Sequence, residues 1–72
     1  MMPLSFSNAG DDVMITRIGG SMEAKKHLED LGFVVGEHVR VISATGNGNV
    51  IVNVKDARLA ITDQMAAKIM VQ

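Results

Sequence analysis

The fold follows from residues 37–62, EHVRVISATGNGNVIVNVKDARLAIT, in which apolar and polar side chains alternate in short runs. One run covers residues 37–44 and the next covers 50–55, and an alternation of period two is typical of strands with one buried face. Between them, Thr45 to Asn49 contains an Asn-Gly step, which tolerates the positive φ values of a hairpin turn. Lys55 to Ala57 predicts a second tight turn, which leads into a third strand over residues 58–62.

Two more strands are expected outside this stretch. Residues 12–18 alternate in the same way, with Val13 and Ile15 on one side, and the Gly-Gly pair that follows ends the run. Residues 68–71 can complete the sheet after a single helical turn that begins near Asp63. A short helical turn also fits the segment from Leu4 to Gly10.

Residues 22–31, MEAKKHLEDL, form the one substantial helix that the sequence predicts. Ala24, Leu28 and Leu31 recur at i, i+4 and i+7 and so share one stripe of the helix. Ser21 is a good N-cap. At the other end, glycine followed by phenylalanine is typical of a Schellman stop, in which Phe33 packs back onto the last turn.

These elements predict a mainly β fold, a small SH3-like β-barrel of about five strands with one α-helix and short helical turns, forming a single domain over residues 1–72. Closure of the barrel removes the unpaired edges of the sheet. The apolar phase of the strands predicts a set of buried residues. These are Val39, Val41, Val50, Val52, Leu59 and Ile69.

The amino-acid composition excludes several classes of function. The chain has 72 residues, 47% of them hydrophobic, and no cysteine, so we expect an aliphatic core without disulfides. Seven basic and eight acidic side chains give a net charge of -1, and only two aromatic residues are present. Neither the charge nor the aromatic content fits a nucleic-acid partner. No apolar run approaches a membrane span and no signal peptide is recognisable, so a cytoplasmic protein is expected.

We predict no catalytic residues, no cofactor and no metal site. No cysteine nucleophile exists, and no Ser, His and Asp set fits a catalytic triad. Glu23, His27 and Asp30 are spaced along one side of the helix and could meet at a metal, but such a solvent-facing stripe is more often a salt-bridged surface. Gly19 and Gly20 before the helix are interpreted as a strand-to-helix turn, because no lysine follows in the P-loop position.

A partner-binding surface is predicted on the helix and its exit loop. A helical wheel places Met22 away from the stripe that faces the core, so its side chain should be exposed. Methionine is favoured at adaptable binding surfaces. We expect Phe33, with one ring edge exposed, and Val34 to extend this apolar patch, and we assign Leu31 to the same surface.

The order of these motifs resembles the FeoA family across essentially the whole chain. The most specific part is the end of the helix, Leu-x-x-Leu-Gly-hydrophobic-x-x-Gly, over residues 28–36. The other matching elements lie before and after it. They are Ile15-x-x-Ile18, Val39-x-Val41, Val50-x-Val52, Leu59-Ala60-Ile61 and Ala67-x-Ile69-x-Val71.

The resemblance implies an SH3-like fold and a cytoplasmic accessory protein of bacterial ferrous iron uptake. Its implied partner is the cytoplasmic GTPase region of FeoB, the membrane transporter, so contact with the membrane would be only through that partner. An alternative stays open. The same fold occurs as the C-terminal domain of metal-responsive repressors of the diphtheria-toxin-repressor type.

Overall fold

A computed structural model of the chain describes residues 1–45 and 48–72. Within these two ranges, six strands and two helices follow one another, with a 3-10 turn at Leu4–Phe6. In chain order the elements are β1 (Met2–Pro3), β2 (Asp12–Ile18), α1 (Met22–Leu31), β3 (His38–Thr45), β4 (Asn49–Val54), β5 (Ala57–Thr62), α2 (Asp63–Ala66) and β6 (Ile69–Val71).

The strands form one antiparallel sheet in the order β1-β6-β2-β3-β4-β5. The predicted strands are all present, and β1 is an additional one that pairs Met2 with Val71 and Pro3 with Met70. The prediction of a closed barrel is wrong for the described residues, because β1 and β5 lie at the two ends of the sheet and do not pair. The fold remains mainly β and SH3-like.

The predicted register of the central strands is confirmed. Five of the six residues expected in the core are buried, and Leu59 is partly buried and packs against the same cluster. Val54 and Ile61 continue the buried phase along β4 and β5. The second tight turn is confirmed as well, because Lys55 and Asp56 both have positive φ, 49° and 64°. Two consecutive positive φ values are typical of a two-residue hairpin loop. The first predicted turn includes Gly46 and Asn47, which lie outside the described residues.

Strand β2 departs from simple alternation. Ile15 and Ile18 are both buried although they are three residues apart, which a regular strand does not allow. The pairing of β2 with β6 shifts register between Ile15 and Arg17, as in a β-bulge. A bulge adds one residue to one strand, so it returns Ile18 to the core face.

Helix α1 begins and ends where the sequence predicts. The Ser21 hydroxyl oxygen accepts a hydrogen bond from the Ala24 N–H at 3.1 Å. At the other end the Gly32 N–H donates to the Glu29 carbonyl and the Phe33 N–H donates to the Leu28 carbonyl, each at 2.9 Å. This pair of bonds is the Schellman motif. The cap of α2 lies one residue earlier than predicted, because the Thr62 hydroxyl accepts from the Met65 N–H.

Replacing Gly32 by alanine should destabilise the domain by about 1 kcal/mol or more, because its φ of 109° is unfavourable for a residue with a Cβ. Space is not the cause, since a Cβ at this position would meet its nearest neighbour, the Lys55 side chain, at 3.6 Å. Urea unfolding followed by circular dichroism measures the difference in free energy.

Gly19→Ala is the matched control. Gly19 lacks a positive φ, and a Cβ there would meet the Lys68 carbonyl oxygen at the same 3.6 Å. Equal losses of stability in the two variants would show that the left-handed conformation of Gly32 is not what limits substitution.

Candidate partner-binding surface

Met22 is the first residue of α1, and 83% of its surface is exposed, as predicted. The residues one turn further along the helix lie beside it, because positions i+3 and i+4 share a face. Met22 borders a shallow depression of about 550 Å³. The depression is also lined by Glu23, Lys25, Lys26 and Glu29.

A second exposed apolar side chain lies on the other side of Lys25 and Glu29. Val35, in the exit loop of α1, is 65% exposed. It lines a groove of about 370 Å³ between α1 and the end of β2, and Lys25 and Glu29 contribute to this groove as well. The two depressions therefore share Lys25 and Glu29 as lining residues. We name the residues Met22, Lys25, Glu29 and Val35 the Met22–Val35 surface.

Hydrogen bonds to β2 hold the exit loop in place. The Gly36 N–H donates to the Ile15 carbonyl at 2.8 Å, and the Ile15 N–H donates to the Glu37 carbonyl at 2.9 Å. Gly36 has a φ of 92°, so the chain turns sharply there. The backbone that presents Val35 is thus fixed by contacts that do not involve its side chain.

The prediction of an exposed ring edge at Phe33 is wrong. Phe33 is 0% exposed and is the largest fully buried side chain of the described residues. The cause is the Schellman stop itself, because the bond from the Phe33 N–H to the Leu28 carbonyl turns the ring into the core.

Leu31 does not form one patch with Met22 either, and Val34 is not highly exposed. Leu31 and Val34 are both only partly buried, and Leu31 packs against the core cluster. Met22 and Leu31 occupy the two ends of α1, about 14 Å apart along the axis and on opposite sides of the helix. Of the four predicted contact residues, Met22 alone is highly exposed, and Val35 was missed.

The acidic and histidine side chains of α1 do not assemble into a metal site. Within residues 1–45 and 48–72, no three His, Asp or Glu side chains come close enough to hold one ion. Glu23 and His27 are both exposed on the helix. Gly20 has a φ of 96° and directly precedes the N-cap Ser21, in agreement with a turn between β2 and α1. None of the described helices is long and apolar enough to cross a membrane.

These features define a small SH3-like domain with an exposed apolar surface on its helix. The model of the FeoA domain family matches residues 2–72. The chain therefore belongs to the FeoA family.

Individual relatives agree with this assignment. A protein of Methanocaldococcus jannaschii named Fe(2+) transport protein A is 35% identical over 72 residues, which are 100% of this chain and 87% of that protein. The crystal structure of an iron uptake regulatory protein, FeoA, superposes with a TM-score of 0.93 at 30% identity, covering 99% of this chain and 95% of the other. FeoA of Stenotrophomonas maltophilia complexed with zinc, described as a prokaryotic SH3 domain protein, has a TM-score of 0.85 at 25% identity, with 100% and 91% covered.

Metal-dependent repressors share the fold alone. The zinc-bound structure of ScaR has a TM-score of 0.89 at 18% identity, and the similarity covers 100% of this chain but 36% of ScaR. At this level of identity the similarity concerns the architecture of the domain and carries no statement about its activity.

Phe33→Ala should cost about 3–5 kcal/mol of folding free energy, because it removes the largest fully buried side chain and leaves a cavity. Met22→Ala should change stability by less than about 0.5 kcal/mol, since exposed side chains contribute little. Thermal and urea unfolding of both variants measure the difference. A well-folded Phe33→Ala variant of unchanged stability would contradict the burial of this ring.

Proposed function

We propose that the protein is an accessory protein of ferrous iron uptake in the cytoplasm, acting by protein contact on a membrane transporter of FeoB type. The observation that carries the proposal is the match of the FeoA domain family to residues 2–72. A relative that covers the whole chain at 35% identity is named for Fe(2+) transport. The protein has no catalytic step in this proposal.

The Met22–Val35 surface supports contact with a partner protein. Met22 and Val35 are two of the four large hydrophobic side chains that are highly exposed among the described residues. Lys25 and Glu29 lie between them, so each apolar side chain has charged neighbours on one side. Small interfaces concentrate their binding energy in a few such anchors surrounded by a polar rim.

The flexibility of methionine suits this role. Met22 is unbranched and mobile about three side-chain bonds, so it can adapt to a partner's surface. The backbone below it is fixed, because Ser21 caps the helix at this point. Because the helix end is already rigid, the conformational entropy lost on binding is limited to that of the side chain.

Met22→Asp should weaken binding to the isolated cytoplasmic GTPase region of the FeoB-type transporter from the same organism. We expect a loss of roughly 30-fold, because truncating an apolar anchor commonly costs about 2 kcal/mol. Val35→Asp should weaken binding in the same direction. Isothermal titration calorimetry measures both affinities.

Phe6→Asp is the matched control. Phe6 is 72% exposed but lies in the 3-10 turn beside α2, away from α1. The same introduced charge at a similarly exposed apolar residue should leave the affinity unchanged. If Phe6→Asp abolishes binding while both α1-surface variants bind as wild type, the transporter contacts the other end of the domain. If the wild-type protein does not bind the transporter region, the proposed function itself fails.

A further inference from the structure

Four side chains from four neighbouring strands lie in one row on the outer face of the sheet. Asp12 is paired with Arg40, Arg40 with Asn53, and Asn53 with Arg58. Directly paired residues place their Cβ atoms about 5 Å apart on the same face. The residues next to them in the chain, such as Val39 and Val52, are buried, so this row faces solvent.

The row borders an open depression of about 530 Å³. Three more polar residues line it next to the β4–β5 turn. They are His38, Lys55 and Asp56. We name the seven lining residues the outer polar face. Local sequence patterns do not predict this cluster, because its members are brought together only by the register of β2, β3, β4 and β5.

The cations of this face have few partners of their own. Within the described residues the one ion pair joins the Lys55 Nζ to the Glu37 Oε2 at 4.0 Å, and both side chains are partly exposed. The side chains of Arg40 and Arg58 make no ion pair or hydrogen bond to any described residue. Both guanidinium groups and the Asn53 amide line the same depression, and Asp12 and Asp56 are the carboxylates that lie nearest to them there.

We propose that the outer polar face binds an extended acidic segment of a partner protein. A guanidinium presents a planar fork of donors that matches a carboxylate. Arg40 and Arg58 are two strand spacings apart, about 10 Å. Alternate side chains of an extended peptide are about 7 Å apart, and the length of the arginine side chains spans the difference. Two acidic side chains of one segment can thus engage both arginines across Asn53.

Other anionic partners fit this face less well. Asp12 and Asp56 line the same depression, so a continuous polyanion such as nucleic acid would meet two like charges. Among the described residues that line it, none is Phe, Tyr or Trp, the side chains that stack most strongly on bases. Acidic side chains spaced along a peptide avoid these conflicts.

The outer polar face shares no residue with the Met22–Val35 surface, so its test does not depend on the proposed function. The probe is a synthetic peptide in which glutamate alternates with serine, and the control peptide carries glutamine instead. Titration at low ionic strength, followed by the amide and arginine side-chain NMR signals, should give shifts centred on Arg40, Asn53 and Arg58. Added salt should weaken the binding, because exposed charges are screened.

Arg40→Gln and Arg58→Gln should each weaken peptide binding about fivefold, the upper range for an exposed ion pair. Asp12→Asn should strengthen binding, because it removes the carboxylate beside Arg40, and a merely structural role of the row would not produce this gain. Arg17→Gln is the matched control, since Arg17 is exposed on β2 but lines the groove beside α1. The affinity of this variant for the glutamate peptide should equal that of the wild type. The amide spectra show whether each variant is folded.

Several results would overturn the proposal. Shifts centred on Lys25 and Lys26 would place the acidic segment on the helix. Equal binding of the glutamine peptide would remove the role of charge. Tighter binding of duplex DNA or of inorganic phosphate than of the glutamate peptide, lost in Arg58→Gln, would assign the face to a different ligand.

Discussion

The structure depends most on how helix α1 ends. Gly32 takes a left-handed conformation, with φ at 109°, that lets two backbone bonds close the last turn and reverse the chain. This reversal brings the ring of Phe33 into the core, which has neither a disulfide nor a large number of residues to stabilise it. It also places Gly36 where its N–H donates to the Ile15 carbonyl, two residues before β3 begins at His38. One local conformation thus sets the core, the exposed side chain of Val35 and the start of the main hairpin.

Much of the fold could be predicted because most of its strands and its main helix follow from local sequence patterns. Strands β3, β4 and β5 alternate with period two, and α1 has a cap at each end, so each could be identified without knowing its neighbours. The bulge in β2 could not be identified in this way, because the extra residue before Ile18 is defined only by the pairing with β6. Strand β1 has two residues, too few for any period, and it exists because β6 offers an edge.

The candidate surface was predictable in part for the same reason. The exposure of Met22 follows from the helical wheel, which needs only the sequence of α1. Three apolar residues follow Gly32, and the sequence indicates that one of them packs back but not how the loop presents the others. The structure places Phe33 inside, Val34 partly inside and Val35 outside. The outer polar face could not be predicted from local patterns. Arg40 and Arg58 are eighteen positions apart in sequence, and they lie in one row because both are paired with Asn53 of β4.

Both candidate surfaces consist of side chains that lie outside the buried core. A domain of this size has a small margin of stability, roughly 4–11 kcal/mol, so a contact residue taken from the core would couple binding to unfolding. Here the backbone under Met22 is fixed by the Ser21 cap, and the backbone between Asn53 and Arg58 is fixed by a regular hairpin with a two-residue turn. Exposed side chains on such rigid supports can be substituted to suit a partner. The domain stays folded because of the buried residues at the end of α1 and in the strands. This separation means that substitutions at either surface leave the packing of the core unchanged.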